Sequence, residues 1–249
     1  MPHLQTGLIL GGGCALAAGT ALATTAYAAL SPGSRIFGPV VTSGDNPDEF
    51  ALTYDDGPND RATPHLLEVL ARHQVRATFF CIGRFVRQRP DLVRAVRDAG
   101  HLIGNHTQTH PWLAWQSAAR IRQELSDCNH ALEDALGEPV RLMRPPHGAR
   151  RPFVFRAASE LGLSVVNWNV MAFDWREEIS AEQVSAYARR GAASARGRGR
   201  AANVLLHDGF DMRMGADRSA TVEATDRLLN EWRAAGLRSV TVDAWLPRT

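Results

Sequence analysis

Phe50-Ala51-Leu52-Thr53-Tyr54-Asp55-Asp56-Gly57-Pro58 runs from an apolar, β-favouring stretch straight into two adjacent carboxylates and a Gly-Pro turn. Phe50 to Tyr54 reads as a buried strand. Two carboxylates leaving such a strand repel each other unless they are separated or neutralised, and a divalent cation on Asp56 would neutralise one of them. Asp55 would then be free to act as a base towards water. Taken alone, Asp-Asp-Gly-Pro is also the composition of a solvated turn. The rest of the chain decides between the two.

Downstream, short β-rich runs alternate with helical patterns. Strands are expected at Ala77–Ile82, His101–Asn105, Leu142–Arg144, Ser164–Val170, Val204–Leu206 and Val240–Val242. Between them, helices are expected at Thr63–His73, at Arg84–Ala99 with a disturbance at Pro90, at Phe153–Leu161, at Ala181–Arg190 and at Ala220–Ala235. The clearest helix starts after Ser117. There Ala118, Ile121, Leu125, Cys128, Leu132 and Ala135 step by three and four along one face, and Gly137 ends the run. Regular alternation argues an α/β chain with a parallel sheet and right-handed crossovers. Periodicity alone leaves a closed barrel and an open doubly wound sheet as equal solutions.

The unusual polar residues fall at the strand ends: Asp55-Asp56 after the first strand, His106 and His110 after the third, Arg144 after the fourth, Asp174 after the fifth and His207-Asp208 after the sixth. In parallel α/β folds the C-terminal strand ends share one face, and active sites are built there. His106 and His110 stand four apart, a spacing that on a helical turn aims both imidazoles one way, as a metal needs. Thr107 stands where an HExxH protease has Glu, so that reading fails. Two His and a carboxylate with an open position is the arrangement of catalytic zinc, and His207 could protonate a leaving group. Metal-assisted hydrolysis is the chemistry that results.

Composition narrows the alternatives. The 249 residues are 45% hydrophobic and 22% charged with a net charge of +2, which is ordinary globular protein and no polyanion binder, so no nucleic-acid partner is expected. All 28 basic residues are arginine, which removes lysine Schiff-base and P-loop mechanisms. Cys14, Cys81 and Cys128 are too scattered for a disulfide framework, and the last two read as packed thiols. No charged residue precedes Arg35, and Gly7 to Leu30 is almost wholly Gly, Ala, Leu and Thr. Residues 1–30 therefore read either as an export signal cleaved after Ala26-Tyr27-Ala28 or as an uncleaved membrane anchor, both placing the protein outside the cytoplasmic membrane. Residues 31–47 read as a linker into a folded domain over residues 48–245.

Together these motifs resemble the NodB-type polysaccharide deacetylases, carbohydrate esterase family 4. Thr53-Tyr54-Asp55-Asp56-Gly57-Pro58 is similar to the family's T-F-D-D-G-P, and His106-Thr107-Gln108-Thr109-His110 to its H-[ST]-x-x-H. Arg144-Pro145-Pro146-His147-Gly148 resembles R-x-P-[aromatic]-G, Asp174-Trp175 the Asp-Trp pair, and Leu205-Leu206-His207 the L-x-H. The resemblance implies a distorted (β/α) barrel of about seven strands, preceded here by the hydrophobic N-terminal segment, and a divalent metal, commonly zinc. It implies Asp56, His106 and His110 as ligands, Asp55 as base and His207 as acid. Arg144 would hold Asp55 ionised and Asp174 would tune His207. Tyr54, His147, Trp175 and Leu205 would line the substrate site, with the backbone N–H of His147 facing the oxyanion. The implied substrate is an N-acetylated carbohydrate polymer. An acetyl-xylan-type ester and a catalytically silent carbohydrate-binding module on the same fold are the alternatives.

Three positions depart from the family pattern: Tyr54 for Phe, His147 for an aromatic groove residue, and Met171 where many members carry a further Asp. Trp112 and Trp115 could form a sugar-stacking wall or pack in the core. Arg196, Arg198 and Arg200 read as a basic loop, either solvated or facing an anionic envelope polymer or lipid.

Overall fold

The computed structural model describes residues 23–247. The N-terminal segment read as export signal or anchor lies outside the described residues as far as residue 22, as does Cys14. No helix among the described residues is long and apolar enough to cross a membrane.

The first strand, β1 (Glu49–Gly57), is buried along its whole length, as expected of a central strand covered on both faces. It pairs in parallel with β2 (Thr78–Cys81) on one side and with β7 (Ala202–His207) on the other. Beyond β2 come β3 (Leu102–Asn105), β4 (Leu142–Met143) and β5 (Ser164–Val165), and beyond β7 comes β6 (Val170–Met171). A short β8 (Arg238–Ser239) pairs the start of β1. Helices α2 (Thr63–His73), α3 (Gly83–Gln88), α4 (Pro90–Asp98), α5 (Ala118–Leu136), α6 (Pro152–Glu160), α7 (Ala181–Gly197) and α8 (Ser219–Ala234) connect the strands, after an initial helical stretch α1 over residues 23–30.

The fold is a distorted (β/α) barrel, and the stretch expected as one strand, Ser164–Val170, explains the distortion. It is split in two, so that β5 joins β4 at one edge of the sheet while β6 joins β7 at the other. One short length of chain thus supplies both edges and spans the gap between them. Asparagine side chains replace the missing ladder there. Asn169 Oδ1 accepts from the Asn203 N–H at 2.8 Å, and Asn203 Nδ2 donates to the Asn167 carbonyl at 2.7 Å.

Several expectations are corrected. The last strand is Arg238–Ser239, and Val242–Trp245 is a 3-10 turn. Residues 31–47 are no free linker: Ser34, Val40 and Ser43 are buried, and Val41 bridges Val166. Arg150, wholly buried, fastens this strap. Its guanidinium donates to the carbonyls of Gly148, Ser31, Pro32 and Ser34 at 2.5 to 3.2 Å, and its own N–H to that of Ala29. The basic loop is likewise engaged, since Arg196 closes α7 and pairs with Asp48, and Arg200 pairs with Asp45.

Tyr54 does not line a substrate site. Side chains alternate along a strand, so if Thr53 and Asp55 face the barrel interior, Tyr54 faces the helical layer. It is fully buried, stacked on Phe79, with its hydroxyl 3.0 Å from Thr225 Oγ1 on α8. Tyr54→Phe is therefore expected to lose about 1 kcal/mol of stability in a denaturant melt, through the lost hydrogen bond, and to leave turnover unchanged.

Candidate metal centre and active site

Strand alternation should also send Asp55 and Asp56 to opposite faces. The register of β1 against β2 shifts between Asp55 and Gly57, and Asp56 takes a left-handed backbone with φ 73°. This irregularity turns both carboxylates into one cavity of about 350 Å³ at the C-terminal end of the barrel. Gly209, in the loop after β7, makes the close approach possible. A Cβ there would lie 2.0 Å from the Asp56 carbonyl oxygen.

His106 and His110 converge, but from a loop rather than the helical turn their spacing suggested. The loop is held by side chains. Asn105 Oδ1 accepts from the Thr107 N–H at 2.7 Å, Thr107 Oγ1 from the His110 N–H at 3.0 Å, and the buried Glu124 of α5 from the N–H and hydroxyl of Thr109. Thr107 (φ 68°) and His110 (φ 64°) are both left-handed, as are His147 (φ 57°) and Phe173 (φ 56°) at the other loops of this face. Non-glycine residues in this region concentrate strain where a site requires it.

Asp56, His106 and His110 can each present one ligand atom, all within 4.8 Å of one another. His106 Nε2 lies 3.4 Å, and His110 Nε2 3.2 Å, from Asp56 Oδ1, which is buried and accepts no hydrogen bond. His106 Nδ1 sits 2.8 Å from the Arg144 carbonyl. A carbonyl only accepts, so Nδ1 carries the proton and Nε2 keeps its lone pair for a ligand. An orphaned carboxylate oxygen facing two imidazole nitrogens is a donor set that fits a divalent cation.

Arg144, with no exposed surface, lies over the Phe80 ring at 4.2 Å and donates through Nη1 to Asp55 Oδ1 at 2.7 Å and Thr53 Oγ1 at 2.8 Å. Its Nη2 donates to the Asn167 carbonyl at 3.3 Å, within the gap between β5 and β6. Across the cavity His207 Nδ1 meets Asp174 Oδ1 at 2.8 Å. The other Asp174 oxygen accepts from the His207 N–H at 2.7 Å and the Thr221 hydroxyl at 2.8 Å. Burial would depress His207, but the Asp174 carboxylate outweighs it and raises the imidazole to about 9. His147 is driven the other way, to about 4, by burial and by its histidine neighbours.

Leu205 is buried in the wall of the cavity, and Trp175, 41% exposed, stands edge-on to His207 at 5.3 Å. His147 stacks on Trp112 at 3.9 Å, and its ring meets His110 at 4.8 Å. Met171 and Trp168 complete the wall. Of the residues expected at the site, only Tyr54 is away from it. Trp112 and Trp115 are both exposed, so neither is a core residue.

The family model for polysaccharide deacetylases matches residues 43–166. A chitooligosaccharide deacetylase of Bradyrhizobium sp. (strain ANU 289) is 38% identical over 180 residues, which is 71% of this chain and 76% of the relative. This chain belongs to the polysaccharide deacetylase family. Two solved structures share its fold. A peptidoglycan N-acetylglucosamine deacetylase superposes with a TM-score of 0.74 at 28% identity, over 84% of this chain and 93% of that one. A pseudoenzyme from Bacillus anthracis gives 0.73 at 27% identity, over 84% and 69%.

One residue of this deacetylase site has no counterpart in the motif reading. Asp211 Oδ2, in the loop after β7, lies 3.3 Å from His110 Nδ1. The two histidines thus have unlike neighbours: His106 Nδ1 is hydrogen-bonded to a carbonyl, whereas His110 Nδ1 has a carboxylate oxygen within charge-pairing distance and no hydrogen bond. Sequence spacing carries no signal for it, because Asp211 follows no strand directly and sits 101 positions from its partner. A carboxylate in that position raises the basicity of an imidazole offered to a metal through its charge. Asp211→Asn is expected to weaken zinc binding by roughly 10- to 100-fold in a chelator competition, with the fold unchanged.

Proposed function

We propose that this chain hydrolyses the N-acetyl group from N-acetylated sugar units of a carbohydrate polymer of chitooligosaccharide or peptidoglycan type, outside the cytoplasm. The observation that carries the reading is the donor set of Asp56, His106 and His110, flanked on one side by Asp55 held by Arg144 and on the other by His207 held by Asp174. Asp56, His106 and His110 would hold a divalent cation, zinc by their N/O chemistry, which when bound supplies positive charge to polarise a carbonyl and acidify water.

The protein's own groups then divide the proton traffic. Arg144 engages Oδ1 of Asp55, leaving the second carboxylate oxygen to take a proton from the attacking water as its oxygen bonds to the acetamide carbon. The backbone N–H of His147 is assigned to the oxyanion that develops. His207, protonated at neutral pH, gives its proton to the amide nitrogen, the C–N bond breaks, and the sugar leaves as the amine with acetate as the second product. The proton on Asp55 returns to solvent and His207 is recharged. Leu205 would pack the acetyl methyl and Trp175 the sugar face. The uncharged N-terminal segment supports an exported protein, held at the membrane if that segment is retained.

Likeness to a pseudoenzyme keeps a second reading in play, a silent module that binds the polymer. Acetate release from N-acetylated chitooligosaccharides, by chelated and then zinc-reloaded protein, separates the two. Zinc-restored release is expected, and zinc binding without release from chitooligosaccharides, peptidoglycan or acetyl-xylan alike would assign the silent module. Asp55→Asn should keep zinc and lose roughly 10²- to 10⁴-fold in turnover, whereas His106→Ala should lose both. Because His207 acts protonated, kcat/KM should fall as pH rises through its pKa. Asp174→Asn removes the carboxylate that raises it, so this descending limb should move to lower pH.

A further inference from the structure

Trp115 is the most exposed large apolar side chain of the described residues, at 77%. It does not stand alone. Tyr27 (58%), Leu30 (45%) and Ile36 (58%) are exposed on α1 and the strap that follows, and Phe153 (40%) at the start of α6. Hydrogen bonds around Arg150 and Arg151 bring these segments together. The Arg150 N–H donates to the Ala29 carbonyl at 3.0 Å, and its side chain holds the strap carbonyls from Ser31 to Ser34. The next residue, Arg151, donates to the carbonyl of Gln116, the neighbour of Trp115, at 3.1 Å, and lies over the Phe153 ring at 5.0 Å.

Arginine dominates the charge of these segments, and their acids are paired. From residue 23 to residue 44 the only ionised side chain is Arg35. The acid of α6, Glu160, is engaged by both Arg122 and Arg156. Glu124 of α5 is buried against Arg120 and Thr109. In sequence this stretch follows residues 1–22, which contain no Asp, Glu, Lys or Arg.

We propose that this face seats on the interfacial zone of an anionic phospholipid bilayer, with Trp115, Tyr27 and Phe153 at headgroup depth and Arg35 and Arg151 towards the lipid phosphates. Aromatic rings with arginine neighbours suit that zone, and anionic lipid attracts the arginines. A sugar platform would pair its rings with polar groups, whereas Leu30 and Ile36 offer only hydrocarbon. The active-site mouth adjoins the face, because Trp112, in the same loop as Trp115, stacks on His147 at the cavity wall. Substrate would then be met beside the membrane surface. The proposal rests on the membrane-associated reading above.

Full-length protein is mixed with phosphatidylcholine–phosphatidylglycerol vesicles whose acyl chains carry bromine, and tryptophan fluorescence is read alongside vesicle flotation. Quenching is expected in the wild type. It should drop in W115F, a substitution at an exposed site that leaves flotation intact, and should weaken when phosphatidylglycerol is omitted. Flotation with equal quenching of W115F and wild type overturns the face while membrane association stands. Failure to float overturns both. Protection of Trp115 by an N-acetylated chitooligosaccharide, without any bromolipid quenching, assigns the face to the polymer and also overturns the proposal.

Discussion

A strand cannot aim two consecutive side chains the same way, and this site needs it to. The irregularity at Asp55–Gly57, with Asp56 in the left-handed region, is the constraint on which the rest of the site depends. It places two carboxylates side by side at the end of a strand buried along its whole length. The loop after β7 then closes over them, with the N–H groups of Asp208 and Gly209 both donating to the Asp55 carbonyl. Any side chain at position 209 would strike the Asp56 backbone. The strained residue is thus held from two strands, which is how such a conformation persists.

The alternation of strands and helices, the common face of the strand ends and the membership of the site were legible because each follows from a period or an order along the chain. Even the break at Pro90 was readable, since proline cannot continue a helix. What was hidden depends on tertiary partners. Nothing local marks Ser164–Val170 as two strands; the split exists because its ends pair with β4 and β7. The His106–His110 spacing suggested a helical turn, and only the contacts of Asn105, Thr107 and Glu124 show that a loop does the same work. Residues 31–47 have a linker's composition, and partners distant in sequence, the buried Arg150 and the bridge from Val41 to Val166 among them, make them part of the domain.

That strap bears on the site as well. Arg150 binds the Gly148 carbonyl on one side and strap carbonyls on the other, so the left-handed turn carrying His147 is tied to the N-terminal segment through one guanidinium. The arginine has carbonyl partners and no carboxylate, which suits a geometric clamp better than an ion pair: five donors in a rigid fork fix several carbonyls at once. The turn that carries His147 and residues 31–34 therefore share one clamp.

The proposed base and acid are neighbours in register, Asp55 on β1 opposite His207 on β7. Left in the same surroundings they would form an ion pair and neutralise each other's chemistry. The barrel prevents this by giving each its own counter-charge from a third strand end. Arg144 reaches Asp55 from the end of β4, and Asp174 reaches His207 from beyond β6. The proposed acid and base stay distinct because their partners have opposite charge, and pairs of groups whose environments diverge in this way mark the division of labour in hydrolytic sites. The parallel topology makes such a division available, since it delivers the ends of several strands to one cavity.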